Sequence, residues 1–340
     1  MNELQLLKET RKTDQPVPTE TLDRGLAQLM SAIEKGTPRA SIPQRWLFSR
    51  RSLLTIAATA ALIIGPVAVN IALPEAPTGA SAEAAEFLGN AAVATINTAD
   101  PLVGEGQYLK TDIKALYGNS LALPDGEQAT WLATQDSQLY IPADRSEEWV
   151  WNREEEVPVT FFSEAAREAA EEVTASSSPF GQVVRAAGGA FYGSGQLFLD
   201  QPLHEAMRDA PRDPQELLSL IYTKTEGQGW SPEHHALTTI ADFLRTGAVP
   251  ADLRSALYHA TALIEGVEIV EKGATIDGRS GTAIGIQTPD GGGRQDIIID
   301  VETGMMIGER STVLKPTPQY PAGTVTSWTA IETSVVNAAP

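Results

Sequence analysis

The sequence predicts an α+β fold: an antiparallel β-sheet domain with a helical insertion, preceded by one transmembrane helix and a short cytoplasmic helix. Three observations predict it. First, residues 52–73 of the 340-residue chain carry no charged side chain, and they separate a net +3 segment (1–51) from a net −22 segment (74–340). Second, the stretch from about residue 200 to 265 holds three capped segments with apolar stripes, which read as helices. Third, from Val267 onward β-branched runs alternate with Asp-Gly and Gly-rich turns. These are hairpin signals, and short connections force antiparallel neighbours.

Composition narrows the function classes. Hydrophobic residues make up 42% and charged residues 20%, the balance of a folded chain. A net charge of −19 argues against a nucleic-acid-binding body, because counterion release needs clustered Lys and Arg. With no cysteine, disulfides, thiolate metal sites and thiol catalysis are all excluded.

Residues 1–51 form the cytoplasmic segment. Pro16–Thr19 opens a helical stretch that Gly36-Thr37-Pro38 closes. Within the amphipathic helix 19–35, Leu22, Leu26, Leu29, Met30 and Ile33 form one apolar stripe. A single helix cannot bury its own stripe, so the stripe either lies on the lipid surface or docks helix-in-groove with a cytoplasmic partner. Residues 39–51 are a basic tether suited to anionic headgroups.

The apolar block from Leu53 to Leu73 spans about 31 Å as a helix, enough to cross the hydrocarbon core. Gly65-Pro66 predicts a kink, which transmembrane helices tolerate. Arg39, Arg45, Arg50 and Arg51 precede the span, and Glu75, Glu83 and Glu86 follow it. The positive-inside rule therefore puts the N-terminus in the cytoplasm and the C-terminal domain outside, a single-pass cell-membrane topology. A second reading stays open: Ser49-Arg50-Arg51-Ser52-Leu53-Leu54 resembles a twin-arginine export motif, with Ala80-Ser81-Ala82 as a cleavage site. Both readings place the domain outside.

Residues 74–83 are a linker by composition, and 84–340 form the outer domain. Ala84–Asn97 reads as a helix, Gly106–Lys114 and Gln128–Ile141 as strands, and Glu164–Val173 as an exposed helix. Trp149 and Trp151 flank Val150 at period two, so both indoles share one strand face. Asp213-Pro214 and Ser231-Pro232 cap the first two inserted helices, and Pro250 opens the third. Val267–Ile276, Thr282–Thr288, Asp296–Val301, Met305–Leu314 and Gly323–Val336 complete a meander.

No enzyme reading rises from the residues. His234 and His235 are adjacent and point about 100° apart on a helix, unlike an i, i+4 metal pair. Gly193-Ser194-Gly195 lacks the spacing of a nucleophile elbow. Glu154-Glu155-Glu156 lacks the alternation of a calcium loop. No metal or cofactor is expected.

Several runs resemble an uncharacterised actinobacterial family of single-pass envelope proteins: YIPADRSEEWVWNRE (140–154), DPQELLSLI (213–221), VPADLRSALYHATALIEGVEIV (249–270), DGRSGTAIGI (277–286) and DIIIDVETGMMIGERSTVL (296–314). The resemblance implies association with extracytoplasmic-function sigma factors. It also implies an outer domain similar to the LolA, LppX and RseB group, whose half-open β-barrel cradles hydrophobic ligands. It carries no catalytic residues.

Two functions follow as expectations. In one, the outer domain binds a lipid, peptide or protein and the cytoplasmic helix regulates a sigma factor. In the other, the chain is a membrane-tethered lipid-binding or scaffold protein with no signalling role. An apolar cleft on the sheet is expected to be lined by Trp131, Leu139, Trp149, Trp151, Ile284, Ile286, Ile298 and Trp328, unless these residues simply fill the core.

Overall fold

Alternation of apolar and polar side chains along β-branched runs gives the molecule its central element, one antiparallel sheet with a layer of helices against one face. The computed structural model describes residues 79–124, 126–176, 182–191 and 201–340. The amphipathic helix 19–35, the basic tether and the apolar span 52–73 lie outside the described residues. Among the described residues, no helix is long and apolar enough to cross a membrane.

Eleven strands build the sheet: β1 (Tyr108–Ala122), β2 (Gln128–Thr134), β3 (Ser137–Pro142), β4 (Glu148–Arg153), β5 (Val157–Phe161), β6 (Gln182–Ala187), β7 (Glu268–Ile276), β8 (Arg279–Gln287), β9 (Gly293–Ile299), β10 (Met306–Val313) and β11 (Val325–Val336). Their order is β6-β4-β3-β1-β11-β10-β9-β8-β7, with β2 and β5 joining beside the second half of β1. All the pairings are antiparallel. The expected antiparallel α+β fold is therefore present, as an open sheet.

The run Gln128–Ile141 is two strands rather than one. β3 pairs the first half of β1 and β2 the second, with Gln135 and Asp136 between them. The neighbouring line breaks at the same level, between β4 and β5. The two breaks are tied together by Glu154 N–H donating to the Asp136 carbonyl (2.9 Å) and Gln135 Nε2 donating to the Glu154 carbonyl (3.1 Å). Beyond them, β2, β5 and α2 (Glu164–Ser176) enclose a separate apolar cluster of Trp131 with Ala129, Ala133, Ala166, Ala169 and Ala170. β5 and β6, which sequence patterning missed, are short and largely exposed, so neither carries strong alternation.

The remaining helices are α1 (Ala82–Asn97), α3 (Leu203–Asp209), α4 (Pro214–Lys224), α5 (Pro232–Arg245) and α6 (Ala251–Thr261). The predicted caps hold: Asp213 Oδ1 accepts from Gln215 and Glu216 N–H, and Ser231 Oγ accepts from His234 N–H. Together with Leu139, Ile141 and Trp149 on β3–β4, and Ile284, Ile286 and Ile297 on β8–β9, these helices form the main core. The end of the compositional linker is built into this layer. Ala80 N–H donates to the Ala262 carbonyl (3.0 Å), Ser81 N–H to the Val267 carbonyl (2.8 Å), and Ser81 Oγ caps α1.

The other face of β7–β11 rolls inward. Ile276 on β7 lies over Gly308 on β10, where a Cβ would sit 2.7 Å from Ile276 Cδ1. Arg279 Nη2 donates to the carbonyls of Ile307 (3.0 Å) and Ile331, and Lys114 on β1 pairs with Asp277 at 3.0 Å in the β7–β8 turn. The hairpin tip thus reaches across β10 and β11 to β1. Ala274, Ala283, Ile298 and Ile307 fill the fold so formed.

His234 and His235 occupy the first turn of α5, and burial lowers the pKa of both; the neighbouring His235 lowers that of His234 further. As pH falls below about 6.5 the unfolded chain takes up these protons before the folded one does. Their contribution is therefore complete above that pH and is lost on acidification. Urea unfolding at pH 7 and pH 5 should show a smaller acid loss in a His234→Gln, His235→Gln double variant than in the parent.

Candidate binding cavity

A cavity of about 220 Å³ lies between the helical layer and β10–β11. Three local features create it. Gly247 ends α5 at φ +66°, and a side chain there would collide with Thr333 and Thr111 at 2.6 and 2.7 Å. The chain then turns through Val249 into α6. On the sheet side, a bulge between Met306 and Gly308 shifts the register against β9, which places Met306 against the helices and Ile307 on the rolled face. Bulges of this kind re-aim side chains.

The wall is apolar, with Leu244, Val249, Met305, Met306, Ile307 and Ile331, and the rest of the lining is polar, with Asp300, Thr303, Glu332 and Thr333. Two arginines complete it, both held by structural bonds. Arg254 is 3% exposed; its Nη1 donates to the Val249 carbonyl (2.7 Å), its Nη2 to Asp100 (2.8 Å) and its Nε to Thr95. Arg279 bonds the carbonyls named above. Beneath the floor, Tyr258 donates to the Gly304 carbonyl at 2.7 Å, and complete burial raises its phenol pKa far above the ordinary value. Such an arrangement receives an aliphatic or aromatic group on the apolar wall and offers the polar part of the lining to a ligand's amides. The volume falls below the about 300–1,000 Å³ of drug-sized ligand sites.

The cavity sits at one end of the helical layer. Leu244 and Gly247 are at the C-terminus of α5 and Arg254 is in the first turn of α6, whereas Gly79 and Ala80 pack at Ala262–Leu263, beyond the other end of α6. Eight residues of α6 separate Arg254 from Ala262, a rise of about 12 Å.

The eight residues expected to line a cleft are not gathered into one. Leu139, Trp149, Ile284 and Ile286 are buried in the main core, with Trp151 packed against it. Trp149 and Trp151 share a face, as period two requires. Trp131 is enclosed under α2, while Ile298 and Trp328 lie on the rolled face. None of the eight lines the cavity. The stripe Leu22, Leu26, Leu29, Met30 and Ile33 lies outside the described residues. The cavity residues escaped sequence reading because the bulge that re-aims Met306 leaves no local mark; the adjacent methionines after Gly304 were the one available signal. Among the described residues, no group of three or more His, Cys, Asp or Glu is placed to hold a metal ion.

No family model matches the chain, and no curated protein matches it. Among solved structures, it is similar to the MucA/MucB complex of Pseudomonas aeruginosa, at 10% identity and a TM-score of 0.29 over 76% of this chain. The match spans 59% of that chain's length. It is also similar to a DUF1329 family protein from Desulfovibrio piger, at 9% identity and a TM-score of 0.18, covering 74% of this chain and 92% of that one. Neither likeness carries the fold, which rests on the strand order and helix packing themselves.

Proposed function

We propose that this chain is a single-pass, non-catalytic envelope protein whose outer domain binds a protein or peptide ligand and signals through residues 1–51 to a cytoplasmic sigma factor. The observation that carries this reading is the cavity's place and size. It lies at the start of α6, whereas Gly79, which follows the apolar span in sequence, packs at the other end of that helix. About 220 Å³ suits a single large side chain of a partner better than a whole lipid. The large apolar residues that would have cradled an acyl chain are spent in the core. The charge asymmetry about residues 52–73 supplies the topology, and the stripe on 19–35 supplies a surface for the cytoplasmic partner.

The test has two parts. A reporter fused after Gly79 should be active only outside the cytoplasm. Peptide 1–51, used as bait, should enrich a sigma factor; recovery of lipid alone would favour the tethered scaffold instead.

A further inference from the structure

The α4–α5 loop, the turn after α6 and the start of α1 meet at one end of the domain. Tyr222 near the end of α4 feels both Glu233 in the first turn of α5 and Glu265 after α6, and Ala80 and Gly79 pack on Ala262 and Leu263. Two large apolar side chains point out of this end: Trp230 is 68% exposed and Leu263 38% exposed.

The exposure of Trp230 is built in. It precedes the α5 cap Ser231, the position from which an apolar side chain ordinarily folds back onto the first turn of the helix as a staple. Here His235 takes that space by packing against Gly229, where a Cβ would lie 2.7 Å from His235 Nδ1. Gly229 and Gly227 hold φ values of +68° and +75°, conformations open to glycine, and the loop they shape turns Trp230 outward. An indole kept out of its own helix's staple is available to another medium.

We infer that this end of the domain rests on the bilayer from which the chain emerges, with Trp230 and Leu263 seated in the headgroup interface. The inference relies on the topology proposed above. Five residues, 74–78, separate the apolar span from Gly79 and reach at most about 18 Å when extended. The surface around Leu263 therefore cannot stand far from the membrane. Tryptophan favours that interface, where its apolar body and polar N–H are both satisfied. Glu226, Glu233 and Glu265 lie in the same segments, so the contact is interfacial insertion, with no attraction to anionic lipid.

The natural chain has no cysteine, so single labels report without background. Full-length Trp230→Cys and Leu263→Cys carrying an environment-sensitive fluorophore would be reconstituted in phosphatidylcholine vesicles containing brominated lipid. Ser120→Cys, on an exposed stretch of β1, serves as reference. Quenching at 230 and 263 is expected to exceed that at 120 by at least about twofold, and to be unchanged when phosphatidylglycerol is added. Equal quenching at all three sites in a chain that remains inserted would overturn the seating and leave the topology standing. A spectral shift that follows protein density without lipid quenching would assign the surface to a second copy and overturn it as well. Release of the chain from the vesicles by alkaline wash would remove the topology and the inference together.

Discussion

Trp149→Ala is expected to lower stability by about 3–5 kcal/mol, the cost of emptying a large aromatic site in a packed core. Trp149 is 0% exposed and sits among the residues of the main core beside Leu139 and Ile141. Its ring packs against Gly189, where a Cβ would lie 2.8 Å from Trp149 Cε3, and its Nε1–H donates to the Arg145 carbonyl at 2.8 Å. Truncation therefore leaves a cavity and an unbonded carbonyl together. For a domain of this size the melting temperature should fall on the order of 10 °C. Fluorescent fatty-acid binding should change only with the loss of the fold. A stable variant with a selective loss of fatty-acid binding would restore the apolar cleft and defeat the packed-core reading of this face.

A comparable loss is expected from Asp296→Ala on the rolled face. The Asp296 side chain is 0% exposed, between Arg294 (Nε to Oδ1, 2.6 Å) and Arg310 (Nε to Oδ2, 2.8 Å), and Arg310 also reaches Glu271 at 2.8 Å. Removing the carboxylate leaves two guanidinium groups with no anion between them. Breaking a buried pair in this way costs about 3–5 kcal/mol. A double-mutant cycle with Arg310→Met would separate the pair from its surroundings, since the second substitution should recover part of the loss. Chemical denaturation reads both. Gly285→Ala should mimic the single variant without touching a charge, because its Cβ would fall 2.3 Å from Asp296 Oδ1. If Asp296→Ala unfolds at the parent's denaturant concentration, the network is surface decoration and the roll depends on packing alone.

How much of this was legible in the sequence depends on whether the cause was local. The caps Asp213 and Ser231 act within one helical turn, and Asp277-Gly278 turns a hairpin within two residues, so these elements could be read directly. The shared face of Trp149 and Trp151 follows from the strand period. The break at Gln135–Asp136 could not be read, because it is imposed by an adjacent break at Glu154 in a different strand. The cavity was hidden for the same reason: it depends on the Met306–Gly308 bulge and on Gly247 meeting Thr333, residues 86 positions apart in the chain. Apolar size alone cannot tell a core residue from a lining residue. Ile284 and Ile298 are equally large and equally buried, yet lie on opposite faces of the sheet.

The pairing of β1 with β11 sets a rule for how this domain comes into being. Tyr108 lies opposite Val336 and Leu116 opposite Trp328, so the middle of the sheet joins segments more than 200 residues apart. Local contacts form quickly, but such distant pairing must wait for the loop between to close. While β11 is still missing during synthesis, β1 and β10 each present an unpaired edge, the template on which chains aggregate. The helices and the β7–β10 meander can assemble in the meantime, leaving two half-sheets with no seam. Chaperone protection that ends before residue 336 has emerged from the ribosome would release the chain at its most adhesive stage.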